Sequence, residues 1–137
     1  MYPTALFIPV SAVCWSIAHH FMGPQKVLRI AQNVADRIAN LVKPPATPIK
    51  ASDMQRELRL IERMQVHPWV ACFETACAFS LWLGWHGQKS TIRLGKHVEN
   101  GDFMMHAWVE SCGEKFFYDA RFEPIFENAA PYCPAGQ

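Results

Sequence analysis

Met104-Met105-His106-Ala107-Trp108-Val109-Glu110 decides the fold when it is read with Lys115-Phe116-Phe117-Tyr118-Asp119 just downstream. Residues 103–110 alternate and are rich in Phe, Met, Trp and Val, the pattern of a half-buried strand, and residues 115–119 read as a second strand. Between them Ser111-Cys112-Gly113-Glu114 is a short turn with glycine where a positive φ is needed. With Cys112 and Gly113 as the loop, Ser111 faces Glu114, Glu110 faces Lys115, Trp108 faces Phe117 and His106 faces Asp119. Opposed side chains in an antiparallel pair sit roughly 5 Å apart at Cβ, close enough for an imidazole–carboxylate hydrogen bond. The hairpin alone therefore predicts a His–Asp pair on one face, provided that no bulge shifts the register.

Working upstream, residues 70–85 are apolar almost all round, with Glu74 as the one charged side chain, and predict a buried helix closed by Gly87. Cys72 falls in its first turn or two. The N-terminal end of a helix presents unpaired N–H groups and a positive partial charge, which favour a thiolate and can hold an oxyanion. A Cys, a His and an Asp in that chain order are the parts of a nucleophile, its base and its orienter. Each has a structural reading too: a Cys in an apolar helix is most often a small core residue, and Cys77 is read so. Order, placement and the His–Asp facing, met together, make Cys72, His106 and Asp119 a candidate constellation.

Further upstream, residues 26–43 carry Val27, Ile30, Ala31, Val34, Ile38 and Leu41 on one helical face. Lys43-Pro44-Pro45 breaks that helix, and Ser52 with Gln55 is a capping-box pair opening another, ended by His67-Pro68. Ser90–Leu94 alternates as a strand, Gly95 to Asp102 reads as a polar loop, and the tail from Phe122 has no clear period. Residues 5–18 are nearly all apolar. They lack the basic start of a signal peptide, are short for a span, contain Pro9 and run into His19-His20. A buried or partner-facing helix is the favoured reading, ahead of membrane-surface contact through residues 5–22.

A net charge of +1, 18% charged residues and scattered Lys and Arg argue against nucleic-acid binding. Five Cys without a Cys-x-x-Cys or other framework spacing predict free thiols in a reducing, cytoplasmic setting and no metal site. There is no Gly-x-x-x-x-Gly-Lys phosphate loop, and no cofactor is implied.

Cys72-Phe73-Glu74-Thr75-Ala76-Cys77-Ala78-Phe79, then Gly87, Ile92-Arg93-Leu94-Gly95 and His106-Ala107-Trp108-Val109-Glu110 resemble the transglutaminase-like leader peptidases of lasso-peptide biosynthesis. That family has a Cys-Leu-x-x-Ser-Leu-Ala-Leu helix, a Gly fifteen residues after the Cys, and an Ala-His-Ala-Trp-Val-Glu block followed by an Asp. The step from Cys72 lands on Gly87, and the family has a core Leu where this chain has Cys77. Thr75, Ala76 and Met105 depart from the pattern, and Asp119 lies one residue farther from His106 than in the family.

The resemblance, over roughly residues 52–120, implies an α+β fold: a helical N-terminal part followed by a transglutaminase/papain-like core, with a buried nucleophile helix packed on a small antiparallel sheet. It divides the chain into residues 1–51, helical and partner-docking or core-covering, and residues 52–137, the cysteine-protease domain. It also implies a catalytic triad of Cys72, His106 and Asp119 that hydrolyses one peptide bond and releases the leader of a ribosomally made precursor peptide. A separate leader-recognition protein and the macrolactam synthetase are the implied partners, because residues 1–51 are too short for the winged-helix recognition domain fused in some members. Acyl transfer to an amine, and a non-catalytic scaffold of the same fold, are the alternatives.

Overall fold

The structure is a computed structural model that describes residues 7–55, 58, 59, 63 and 72–125. Its helices are α1 (Phe7–Met22), α2 (Pro24–Leu41) and α3 (Cys72–Trp85), with a 3-10 turn at Ala51–Met54. Strands β1 (Thr91–Glu99), β2 (Asp102–Ser111), β3 (Glu114–Phe116) and β4 (Glu123–Pro124) follow. They form one antiparallel sheet in the order β3-β2-β1-β4. The architecture is α+β, helices first and a small antiparallel sheet after them, as the sequence predicts.

α3 is apolar all round because it is covered all round. α1 and α2 pack against it, β1 and β2 lie on it, and Phe73 to Ser80 are buried without a break. It ends in a Schellman motif: the Gln88 N–H donates to Leu83 O at 2.9 Å and the Gly87 N–H to Gly84 O at 2.9 Å. Gly87 has φ of +79°, and a Cβ there would sit 2.3 Å from Lys43 O, so both conformation and space require glycine.

α2 forms where its periodicity puts it, but its buried stripe is rotated from the predicted one. Val27, Ala31, Ala35 and Ala39 are buried, whereas Ile30 and Leu41 are exposed. The reason is close approach: a Cβ on Gly84 of α3 would lie 2.5 Å from Ala35 O, so only small residues fit the contact line. Gln32 then ties α2 to the sheet, its Nε2 donating to Ser90 O at 2.7 Å and its Oε1 accepting the Ile92 N–H at 3.0 Å. Buried Gln88 joins the Ile49 N–H (2.8 Å) to Ser111 Oγ (2.8 Å), which fixes the end of β2 against the helical part.

The segment read as a loop, residues 95–102, is instead the most regular part of the sheet. β1 runs on to Glu99, turns through Asn100 (φ +52°) and Gly101 (φ +82°), and pairs with β2 from Glu99↔Asp102 to Thr91↔Glu110. Two central residues with positive φ make a type I′ turn, for which Asn-Gly is the preferred pair. The β2–β3 turn is of the same kind, with Cys112 at φ +52° and Gly113 at +77°, and Ser111↔Glu114, Glu110↔Lys115 and Val109↔Phe116 pair as predicted. There the ladder stops. Phe117 takes φ of +63°, the chain leaves the sheet, and the Trp108–Phe117 and His106–Asp119 facing pairs do not form.

Two further expectations change. Cys112 is disulfide-bonded, so the reading of five free thiols is corrected; Cys14, Cys72 and Cys77 are free. No Cys-x-x-Cys or other framework spacing includes Cys112, so spacing could not reveal that bond. Of the helix expected after Ser52, the described residues give the 3-10 turn and helical positions 55, 58, 59 and 63; the rest lies outside them. No helix among the described residues is long and apolar enough to cross a membrane. Nor do the described residues include a group of three or more His, Cys, Asp or Glu placed to hold a metal ion.

Candidate active site

Cys72 stands at the N-terminal end of α3, and its thiol is hydrogen-bonded to the His106 side chain from β2 and to the backbone of Ala107. The second contact follows from strand geometry. In a two-residue hairpin the residues flanking the loop exchange main-chain hydrogen bonds, so Asp102 directs its N–H and C=O to β1 and Ser111 directs its own to β3. Both turns thus give β2 the same parity: even residues bond β1 and odd residues face the β3 side. Ala107 is odd and lies beyond the end of β3, so its N–H is left for the sulfur.

His106 is held from its other nitrogen. Nε2 donates to the Phe117 carbonyl at 2.6 Å, which fixes the tautomer and leaves Nδ1 for the thiol. The left-handed backbone of Phe117, which ends the ladder, coincides with the carbonyl that holds the ring. The imidazole also lies among aromatic rings, 5.0 Å from that of Phe122 and 6.3 Å from that of Trp108. Trp108 is fully buried over Gly95, where a Cβ would come within 2.6 Å of its ring. The Trp108 indole N–H donates to Glu110 (3.1 Å), which also pairs with Arg93 (3.1 Å).

These contacts set the electrostatics. Burial pulls the Cys72 thiol upward and is the largest single influence. The hydrogen bonds from His106 and the Ala107 N–H, with the charge of His106, together outweigh burial and the repulsion from Glu74, and the thiol titrates below its ordinary value. His106 is raised, first by its bond to Cys72, with burial opposing and the Phe117 carbonyl and the charges of Cys72 and Asp119 adding to it. A lowered thiol beside a raised imidazole shifts the pair toward the thiolate–imidazolium form, the direction that activates a cysteine nucleophile. Cys77, buried one and a half turns on, is pushed strongly upward by desolvation and then by Glu74.

Asp119 is elsewhere. Its Oδ1 accepts the Arg121 backbone N–H (3.0 Å) and Nε (3.1 Å), and Oδ2 accepts Nη2 at 2.7 Å. That guanidinium holds the carboxyl down to about 2, and Asp119 reaches His106 through charge alone, as the weakest of the influences on it. The structure thus brings Cys72 and His106 into contact and leaves Asp119 off the ring, with the Phe117 carbonyl in the orienting position. Three participants escaped the sequence reading. The Ala107 amide was implicit in the strand parity, and Arg121 in its place two residues after Asp119. The Phe117 carbonyl had no signal, because nothing in Phe-Tyr-Asp announces a left-handed residue.

A thiolate at a buried helix end with an adjoining strand histidine is equipped for acyl transfer, to water or to another acceptor. No curated protein and no solved structure is matched by the chain. The family model described as Transglutaminase-like superfamily matches residues 22–127, taking in the last residue of α1, all of α2, α3 and the whole sheet. Such a domain fits a cysteine peptidase or acyltransferase, and on that match the chain belongs to the transglutaminase-like superfamily.

Proposed function

We propose that this protein is a cysteine peptidase that removes the leader from a ribosomally synthesised lasso-peptide precursor, acting with a separate leader-recognition protein. The observation that carries the reading is the Cys72–His106 hydrogen bond with the thiol lowered and the imidazole raised. The Cys-to-Gly step and the His-Ala-Trp-Val-Glu block support the finer assignment. The exposed Ile17, Phe21 and Met22 on α1 suit the recognition protein or the macrolactam synthetase as a docking face. The cytoplasmic setting expected for such a pathway has the Cys112 disulfide against it, since such bonds persist mainly in oxidising compartments.

In the reaction, the Cys72 thiolate attacks the carbonyl carbon at the leader–core junction, and the carbonyl π pair moves onto oxygen. The backbone N–H of Cys72, at the helix end, is the default donor to that oxyanion. As the C–N bond breaks, the imidazolium proton on Nδ1 passes to the departing core amine, leaving a thioester. His106 then takes a proton from water, whose oxygen attacks the thioester, and Cys72 leaves with the leader carboxylate free. The Phe117 carbonyl keeps the ring in one tautomer throughout. Asp119 adds negative charge that favours the imidazolium.

Acyl transfer to an amine uses the same thioester with a different acceptor. Mass spectrometry of a precursor incubated with this protein and the recognition protein separates the two: a free leader carboxylate supports the peptidase. An amidated or crosslinked leader sinks it in favour of the transferase.

A further inference from the structure

β2 is ten residues long, but β3 covers it only from Val109 to Ser111. The parity of both type I′ turns directs the main-chain groups of the odd residues of β2 to that side, and Ala107 confirms it by bonding the Cys72 sulfur. Among the described residues none bonds the outward N–H and C=O of Phe103 and Met105. Those two side chains are exposed, as is Val98 paired with Phe103 across the hairpin. Among the described residues an open strand edge therefore leads, two residues at a time, to the nucleophile.

We propose that the substrate binds as an extended peptide added to this edge of β2, hydrogen-bonding Met105 and Phe103 and crossing Cys72 beside Ala107. The inference rests on the peptidase reading of Cys72 and His106 and adds the mode of substrate recognition. Strand addition draws affinity from main-chain bonds that any unfolded peptide can make, and specificity from alternate side chains. Adjacent residues on a strand are about 3.3 Å apart, so the Met105 groups lie about 6.6 Å from the Ala107 amide at the sulfur, the two-residue repeat of an extended peptide's groups along one edge. A peptide in that register has its scissile carbonyl delivered to Cys72 by the same edge that anchors it. The apolar Val98, Phe103 and Met105 lie beside the path for its side chains. The early end of β3 at left-handed Phe117 thus uncovers the edge as well as holding His106.

The test measures alkylation of Cys72 by acetyl-Ala-Ala-Thr-Gly chloromethyl ketone, by acetyl-Gly chloromethyl ketone and by iodoacetamide. In the ketone reaction the thiolate sulfur bonds the methylene carbon and chloride leaves. The longer ketone is expected to react about tenfold faster than the shorter, the effect of two or so main-chain hydrogen bonds. Met105→Pro removes an outward N–H without touching the bonds to β1 and is expected to erase that advantage, while Met105→Ala keeps it. The iodoacetamide rate reports an intact thiolate and fold in each variant. Should Met105→Pro misfold, backbone N-methylation of the longer ketone makes the same cut with wild-type protein. An unmethylated longer ketone no faster than the shorter, or a methylated one as fast as the unmethylated, overturns the edge proposal. So does a dimer, seen by sedimentation, that Met105→Pro dissolves, since the edge then belongs to a second copy. Slow reaction of Cys72 with all three reagents removes the dyad reading itself.

Discussion

Cys72 and Cys77 lie five residues apart on one buried helix, and their thiols are displaced in opposite directions. Both feel burial as the leading influence, and both feel the carboxylate of Glu74 as a repulsion. What differs is what reaches them. Cys72 receives a side-chain hydrogen bond from His106 and an amide from Ala107, whereas Cys77 is closed in by the core with only its own backbone N–H in opposition. Reactivity here belongs to the middle of β2, where His106 and Ala107 meet the start of α3, and not to the apolar helix. The comparison breaks most directly with alanine. Cys72→Ala is expected to abolish precursor processing completely, and Cys77→Ala to leave its rate within about threefold, since no group at Cys77 touches the reacting atoms. A Cys77→Ala protein as inactive as Cys72→Ala overturns the assignment of the nucleophile.

The next largest effect removes the group that distinguishes the two thiols. His106→Ala takes away the strongest influence lowering Cys72 while burial stays, so the thiol moves up toward the behaviour of Cys77. Processing is expected to fall by about 10²–10⁴, and the pH midpoint of Cys72 alkylation to move to higher pH. In the wild type the active form is thiolate with imidazolium. Activity therefore rises as pH climbs through the lowered Cys72 pKa and falls as it climbs through the raised His106 pKa. A midpoint for wild-type Cys72 at or above that of free cysteine contradicts the geometry.

Asp119 tests how the ring is held. An orienting carboxylate is worth about 10⁴ in rate where it bonds the imidazole directly. Here the Phe117 carbonyl makes that bond and Asp119 is engaged by Arg121, so Asp119→Asn is expected to cost about tenfold or less. Its signature is the alkaline limb of the pH profile, which shifts to lower pH because Asp119 raises His106 only through charge. A loss of 10³ or more places the carboxylate on the ring during turnover, with Arg121 letting go.

The expectations that held and those that failed have physical reasons. α3, the Ser111–Glu114 turn and the first three pairs of its ladder were legible because apolar patterning and turn chemistry are local. The same rules applied to Asn100-Gly101 predict a hairpin, and charged residues around it masked a signal that was present. The α2 stripe was misjudged because hydrophobicity was weighed where closeness decides: Gly84 admits the small face and turns Leu41 outward. Phe117 lay beyond reach. A left-handed non-glycine costs energy locally and is held by tertiary contacts such as the Phe79 ring (5.2 Å), which a strand pattern does not encode. Cys72 and His106 were legible as residue types in order, while the carbonyl and amide that serve them carry no side-chain signature.

The smallest expected effect sharpens the Cys77 half of the comparison, and it is one of stability. Cys77 is fully buried, and its folded thiol titrates above its unfolded value. Such a group contributes its full stability below the unfolded pKa, where both states hold the proton. As pH rises past that point the unfolded chain releases its proton and the folded chain keeps it, so stability falls by up to about 1.4 kcal/mol per pH unit until the folded pKa is reached. Cys77→Ala removes this slope and, at neutral pH, costs about 1 kcal/mol for the lost sulfur contacts. Urea unfolding at pH 7.5 and at pH 10 reads both: the variant is expected to be the less stable at the lower pH and to close that gap at the higher. A gap that stays constant means the Cys77 thiol ionises alike in both states, and the contrast with Cys72 is then one of hydrogen bonding alone.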